Sequence, residues 1–264
     1  MISYFGAIWN CRYFWLSLVR LDLRTRYRRS VLGIGWSLMH PICMTAILCV
    51  VFHKLMNIDI IDYAPHLLGG LAVWNYILTS SSAGCAAFFQ GEAYIRQCPL
   101  PLAIFPLRTV LGATFHMFMQ LSVVIVFVAA LGLLGYREFH WMPLLSLVPS
   151  LLLLFVLCWS LAIITGLVNV YFQDTQHLTE IGFQMVYFAT PIMYKASLLE
   201  EHGLGWLVEY NPVVVFLRLI RDPILNGTAP ELATYGQALG VVAVVTALAA
   251  ALLVRSQKRL IFHM

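Results

Sequence analysis

RLDLRTRYRRSVLGIGWSLMHPICMTAILCVVF, residues Arg20–Phe52, is the stretch that decides the fold. It opens with Arg20, Arg24, Arg26, Arg28 and Arg29 around one acid, Asp22, and then carries no charged residue from Val31 to Val51. An uncharged apolar run of roughly 20 residues crosses a hydrocarbon core about 30 Å thick as a helix. Basic clusters beside a first hydrophobic helix stay on the cytoplasmic side, so this edge places the N-terminus inside and orients every later span. The arginine-rich part reads differently. Over Met1–Arg29, Trp9, Tyr13, Leu16, Leu23 and Tyr27 share one face at helical spacing, with Arg24, Arg26, Arg28 and Arg29 beside and behind it and Arg20 snorkelling near the stripe. That describes an amphipathic interfacial helix, residues 1–30, ahead of a membrane domain, residues 31–264. No apolar core followed by a small-residue cleavage site interrupts it, so no cleaved signal peptide is expected.

Composition agrees. The 264 residues are 61% hydrophobic and only 11% charged, against roughly 25% charge in a soluble domain. Lipid is therefore the main solvent. The arginines abut a membrane helix rather than an aromatic-studded groove, so membrane lipids, not nucleic acid, are the expected partners. They serve either as an anchor that sets topology or, at Arg24 and Arg28, as contacts for the phosphates of a lipid-linked substrate arriving from the inner leaflet. Cys11, Cys43, Cys49, Cys85, Cys98 and Cys158 fall in expected helices or cytoplasmic loops, which fits reduced packing residues.

In chain order the pattern predicts an all-α, polytopic membrane protein with six transmembrane helices. Helix 1 covers Val31–Val51 with a kink at Pro41, and His53–Pro65 is an external loop. Helix 2, His66–Phe89, carries Asn75, Thr79, Ser80, Ser81 and Ser82, small polar residues suited to close helix contacts inside a bundle. Gln90–Pro106 returns to the cytoplasm. Helix 3 covers Leu107–Leu134, Gly135–His140 is a tight external turn, and helix 4 covers Trp141–Val170 with interruptions at Pro143 and Pro149. Tyr171–Glu180 is cytoplasmic, and helix 5, Ile181–Tyr194, is short for a span. The segment Lys195–Glu231, with Trp206, Asn211, Pro212, Arg218 and Arg221, is too long for a plain connection. Its apolar patches Leu204–Val208 and Val213–Ile220 predict two short amphipathic helices re-entering the bilayer. Helix 6 covers Ala233–Val254 and ends in Arg255, Lys258 and Arg259. In this topology Arg12, Arg20, Arg24, Arg26, Arg28, Arg29, Arg96, Arg108, Arg255, Lys258 and Arg259 lie inside, and only Lys54, Arg137, Lys195, Arg218 and Arg221 outside. Both termini are thus expected in the cytoplasm.

No GxxxxGK[ST], HExxH, CxxC or GxSxG pattern occurs. No catalytic residue and no metal site are assigned; His53 and His66 merely flank one loop. Spans 3, 4 and 6 carry no central charge, where one costs about 2.5–3.5 kcal/mol, and this disfavours an ion-coupled carrier. What remains is aromatic. Phe183, Tyr187 and Tyr194 form one stripe of helix 5 with Thr190 between them, and helices 1 and 2 add Trp36, Trp74 and Tyr76. Trp74 and Trp141 suit an interfacial belt. The stripe suits packing or a lining along which sugar rings slide. The Glu92–Arg96 pair, four residues apart, steadies a short cytoplasmic helix.

Taken with RLDLRTRYRRSVLGIGWSLMHP, the segments GEAYIRQCPLPLAIFP and YFQDTQHLTEIGFQMVYFATPIMY make the chain resemble the transmembrane subunits of type-2 ABC exporters of polysaccharides. The resemblance rests on Leu32, Gly33 and Trp36; on Gly91, Ile95, Arg96 and the prolines that follow; on Tyr171, Asp174, Gln184, Thr190, Pro191 and Tyr194; and on Asn211, Pro212 and Arg221. It implies a homodimer with two separate ATPase subunits beneath it in a bacterial cytoplasmic membrane. The chain itself then binds no cofactor, ATP and Mg being used by the partner. The implied cargo is a lipid-linked glycan: O-antigen, capsule or teichoic acid. Helices 1 and 5 line the channel through Trp36, Phe183, Tyr187, Thr190 and Tyr194. A coupling helix with Gly91, Glu92, Ile95 and Arg96 meets the ATPase, and external gate helices carry Trp206, Asn211, Pro212, Arg218 and Arg221. Cys98-Pro99-Leu100-Pro101 has more proline and less charge than the usual coupling segment. An exporter of small hydrophobic compounds and a membrane-embedded glycosyl- or acyltransferase are the alternative readings.

Overall fold

Asp59 starts the helix around which the others assemble: its side chain accepts from the Ile61 amide at 3.0 Å, and the helix then runs unbroken from Ile60 to Gln97. The computed structural model describes residues 2–28, 30, 32–56 and 58–256, and every regular element among them is helical. In order these are α1 (Ile2–Asn10), α2 (Arg12–Tyr27), α3 (Trp36–Met56), α4 (Ile60–Gln97), α5 (Ile104–Leu133), α6 (Leu147–Tyr171), α7 (Thr175–Ala189), α8 (Ala196–Glu201), α9 (Gly205–Glu209), α10 (Pro212–Arg221) and α11 (Leu232–Ser256). Short 3-10 turns at Gly33–Gly35 and Met142–Ser146 lead into α3 and α6, and a wide π-type turn, Asp222–Asn226, extends α10. The expected Arg29, Lys258, Arg259 and the Val31 start of the first span lie outside the described residues.

Among the described residues, four helical stretches are long and apolar enough to cross a membrane: Gly33–Lys54, Ile104–Leu133, Met142–Tyr171 and Leu232–Ser256. The expected helices 2 and 5 are not among them. The first has grown into the 38-residue α4, which absorbs the last part of the expected external loop, from Ile60 to Pro65, at one end and the start of the cytoplasmic return at the other. Nothing after Phe89 breaks a helix until Cys98-Pro99, and the Glu92–Arg96 pair bridges a turn on the way. The second is α7, which starts and stops several residues before Ile181–Tyr194. Pro191 disfavours the α region for the residue before it, and Thr190 is extended at φ −102°, ψ 134°, so the helix ends at Ala189 and Tyr194 lies beyond it. The expected single N-terminal helix is also two, broken at Cys11, with Trp15 Nε1 donating to Ile8 O at 3.1 Å across the break.

α4 packs against α3, α5, α6, α7 and α10, and α6 in turn against α11. α4 and α6 meet backbone to backbone. A Cβ on Gly84 would lie 2.6 Å from Ala162 Cα, and one on Gly166 would lie 2.6 Å from Gly84 O. Small residues let two backbones meet where lipid gives helices no hydrophobic reason to associate. Thr165 Oγ1 donates to Ser81 O at 2.8 Å and Asn169 Nδ2 to Cys85 O at 2.9 Å beside that seam. Ser80 and Ser81 are fully buried, as the small polar residues of this stretch led us to expect. Trp74, read as a belt residue, is instead 4% exposed in the core, because Phe183 and Tyr187 of α7 cover it.

Gly166→Val is expected to destabilise the protein by about 1–3 kcal/mol, the range for overpacking. Gly240→Val, where a Cβ meets nothing within 4 Å, is expected to be nearly neutral. Thermal midpoints of the two purified variants in detergent provide the comparison.

Candidate functional site

The arginine-rich α2 is not a loosely laid anchor. Leu18 and Val19 are buried, and Asp22, the one acid in the basic run, accepts from both Nε and Nη2 of Arg108 on α5. Farther on, Tyr27 Oη sits 2.5 Å from Ser37 Oγ and 3.1 Å from His116 Nδ1, while Arg26 Nη1 lies 3.4 Å from His116 Nε2. A guanidinium only donates, so Nε2 accepts and Nδ1 carries the imidazole proton. α2, α3 and α5 are therefore knotted together by part-buried polar groups around the buried His116. The apolar face expected of one helix splits in two: Trp9, Tyr13 and Leu16 are exposed, whereas Leu23 and Tyr27 are half-buried. Arg24 and Arg28 are exposed and pair with no acid among the described residues, which leaves both guanidinium groups open to an anion.

At the far end of α4, Gly91 and Ile95 turn inward. The Phe105 ring lies against Gly91, where a Cβ would meet it at 2.2 Å, and Ile95 is buried beside Leu102 and Ile104. Glu92 and Arg96 face outward and pair at 2.8 Å. Tyr94 meets the ring of Phe14 at 5.3 Å, so α2 touches this end as well. Cys98 and Pro99 are exposed, and the chain then dives into the core at Leu102–Phe105. Of the four expected coupling residues, two fix the helix and two present a charged surface.

The aromatic set separates. Trp36 is 57% exposed on α3. Phe183 and Tyr187 are half-buried against Trp74, with ring centroids at 5.8 and 5.3 Å. The exposed edge of α7 is Ile181, Gln184, Met185 and Phe188. Thr190 is fully buried, and Tyr194, off the helix, donates its hydroxyl to Phe188 O at 2.6 Å. The continuous stripe read from sequence is thus two rings of α7 packed on α4, with Thr190 and Tyr194 fastening the chain just past the helix end. α3 and α7 both flank α4, and both keep an outer face uncovered in a single copy.

That fastening extends into the expected gate. Asn211 caps α10 by accepting from the Val213 amide at 2.9 Å, and its Nδ2 donates to Thr190 Oγ1 at 2.7 Å. Pro212 occupies the first turn of α10, where a missing amide proton is harmless. Arg221, 8% exposed, donates to Pro191 O at 2.8 Å and to His66 O and Ile192 O at 3.0 Å. Tyr63 Oη donates to Met193 O at 2.6 Å. Trp206 and Arg218 remain exposed. Sequence reading missed Asp22–Arg108, His116 and Tyr63. Its available signals were a lone acid among arginines and a histidine inside an apolar span.

A helical bundle with four hydrophobic spans, a basic amphipathic N-terminus and a helix carried out to an exposed ion pair defines a multi-pass membrane protein. The family model for ABC-2 type transporters matches residues 13–225, and the chain belongs to that family; it is a permease subunit. Among curated relatives, it is 26% identical over 208 residues to the O-antigen export system permease protein RfbA of Klebsiella pneumoniae, 78% of each chain. It is 26% identical over 215 residues, 81% of each chain, to the protein of the same name from Myxococcus xanthus. The polysialic acid transport protein KpsM of Escherichia coli is 23% identical over 213 residues, 80% of each chain.

Arg108→Gln is expected to lower stability by about 1.5–3 kcal/mol, the range for a charge-assisted hydrogen bond left unmade. It should also speed tryptic cleavage within α2. Arg96→Gln, which removes an exposed i,i+4 pair, should cost no more than about 0.5 kcal/mol; thermal midpoints and limited proteolysis distinguish the two. Arg221→Lys keeps the charge but loses the planar fork that reaches three carbonyls, and the thermal midpoint should fall even though the substitution is nominally conservative.

Proposed function

We propose that this chain is the permease subunit of an ATP-driven ABC exporter that moves a lipid-linked polysaccharide, O-antigen first among the candidates, across the bacterial cytoplasmic membrane. The observation that carries the reading is that polysaccharide-export permeases match it over about four fifths of both chains. A homodimer forms the membrane core, because one copy leaves the outer faces of α3 and α7 uncovered and a two-fold partner closes them. Six spans then run through α3, α4, α5, α6, α7 with its continuation to Tyr194, and α11, with both termini in the cytoplasm.

Each surface takes a part in this scheme. Arg24 and Arg28 meet the phosphates of the incoming lipid. Trp36 and the free edges of Phe183 and Tyr187 line the passage, with Thr190 and Tyr194 holding its outer rim. Glu92 and Arg96, braced by Gly91 and Ile95, dock on one of two separate ATPase subunits, which bind and hydrolyse ATP with Mg. On the outer side Trp206 and Arg218 face the exit, and Asn211, Pro212 and Arg221 set the gate helix in place. α4 links these ends physically, since the helix that carries Glu92 also supplies the His66 carbonyl and Tyr63 hydroxyl that hold the gate segment. The family assignment sets the transferase reading aside.

Deletion of the chain should abolish surface glycan while lipid-linked glycan accumulates in the cytoplasm, restored by the wild type and reduced at least tenfold for the Glu92→Arg variant. Immunoblotting of surface and intracellular glycan tests this. Loss of glycan from both compartments would point to synthesis and sink the reading.

A further inference from the structure

A cavity of about 210 Å³ lies between α2, α3, α4 and α5, and the functions assigned above leave it unused. Its polar wall is Arg26, His40, Asn75, Thr79, His116 and Gln120, and no aspartate or glutamate lines it. The side chains of His40, Asn75 and Thr79 have no hydrogen-bond partner among the described residues, and Arg26 has only the single contact to His116. Gln120 Oε1 is buried and unpartnered. The cavity lies close to one edge of the hydrocarbon. Ser37 and His40 stand four and seven residues into the apolar stretch that begins at Gly33, hence about 6–10 Å inside its end at 1.5 Å per residue. A buried polar atom left without a partner, as Gln120 Oε1 is, costs several kcal/mol in hydrocarbon unless something polar fills the space.

We propose that this cavity receives a phosphate group. Water would satisfy the donors but would not account for the sign of the wall. One arginine, Arg26, lines it while otherwise exposed, Arg24 and Arg28 stand free on the same helix, and Asp22, the one acid of that helix, is paired with Arg108. Arg26, Asn75, Thr79 and His40 offer converging donors to phosphate oxygens. Gln120 Oε1 offers the acceptor that the hydroxyl of a protonated monoester needs, its second pKa being about 6. The cavity is lined by Arg26 near the end of α2 and lies close to the edge of the hydrocarbon, so a phosphate carried by a lipid and a free phosphate are both admissible sources. The depth argument rests on the membrane orientation proposed above; the chemistry of the wall does not.

The test uses the purified full-length chain in dodecyl maltoside, free of its ATPase, with the thermal midpoint as readout. Dioleoyl phosphatidic acid should raise the midpoint and dioleoylglycerol should not. Arg26→Gln and Asn75→Leu, which fills the cavity, should each weaken the half-saturating concentration at least tenfold. Thr79→Val replaces the second variant if Asn75→Leu does not elute as a single species. Arg12→Gln, which removes a charge from the same helix away from the cavity, should bind as the wild type does. Stabilisation by inorganic pyrophosphate as well identifies any accessible phosphate as sufficient, and stabilisation by the lipid alone identifies a headgroup site. Equal effects of the two lipids, or unchanged binding in both cavity variants, overturns the proposal. Export in cells is a separate readout, so either reading can fail without the other.

Discussion

A hydrocarbon interior offers no water to a peptide group, so wherever a helix stops, another part of the protein must supply the missing partner. The stop that matters most here follows α7. Pro191 forces Thr190 out of the helix, and the carbonyls of Pro191 and Ile192 are left facing the core. Arg221 supplies the donors. Its guanidinium reaches both carbonyls and that of His66, tying the end of α7, the start of α4 and the whole of α10 to one side chain. Asn211 and Tyr63 reinforce the same junction through Thr190 and Met193. Irregular backbone is tolerated in this buried junction because a buried cation with planar, multiple donors reaches its carbonyls.

How much of this could be read from the residues depended on which force set each boundary. Where hydrophobicity decides, the reading came close: α5 and α11 lie within about three residues of the expected helices 3 and 6. Where it does not, the reading failed. α4 continues past Phe89 because nothing breaks it and the Glu92–Arg96 turn favours it, and neither cause registers in an apolar window. α7 ends at Ala189 although the apolar pattern runs on to Tyr194. Thr190-Pro191 carried that signal, but the surrounding aromatics outweighed it.

In the candidate site, the charged residues are visible in the sequence but their pairings are not. Of the residues expected to meet phosphate or the ATPase, Arg24, Arg28 and Arg96 are exposed and Glu92 is partly exposed. The expected roles of Trp74 and the helix 5 aromatics required knowing that one would cover the other, and periodicity along a single helix contains no record of its neighbour. Asp22 and Arg108 are 86 positions apart, and the knot of Tyr27, Ser37 and His116 draws on three helices. Such contacts are fixed by tertiary packing, which a span-by-span reading cannot supply.

The close contact between Gly84 and Gly166 has a mechanical consequence. α4 is a rod about 57 Å long at 1.5 Å per residue, and that contact stands about 20 Å from its Gln97 end and about 36 Å from its Ile60 end. A rod pressed against its neighbour at such a place is a lever of unequal arms. Any rocking about that fulcrum displaces the Tyr63–His66 end nearly twice as far as the Glu92–Arg96 end.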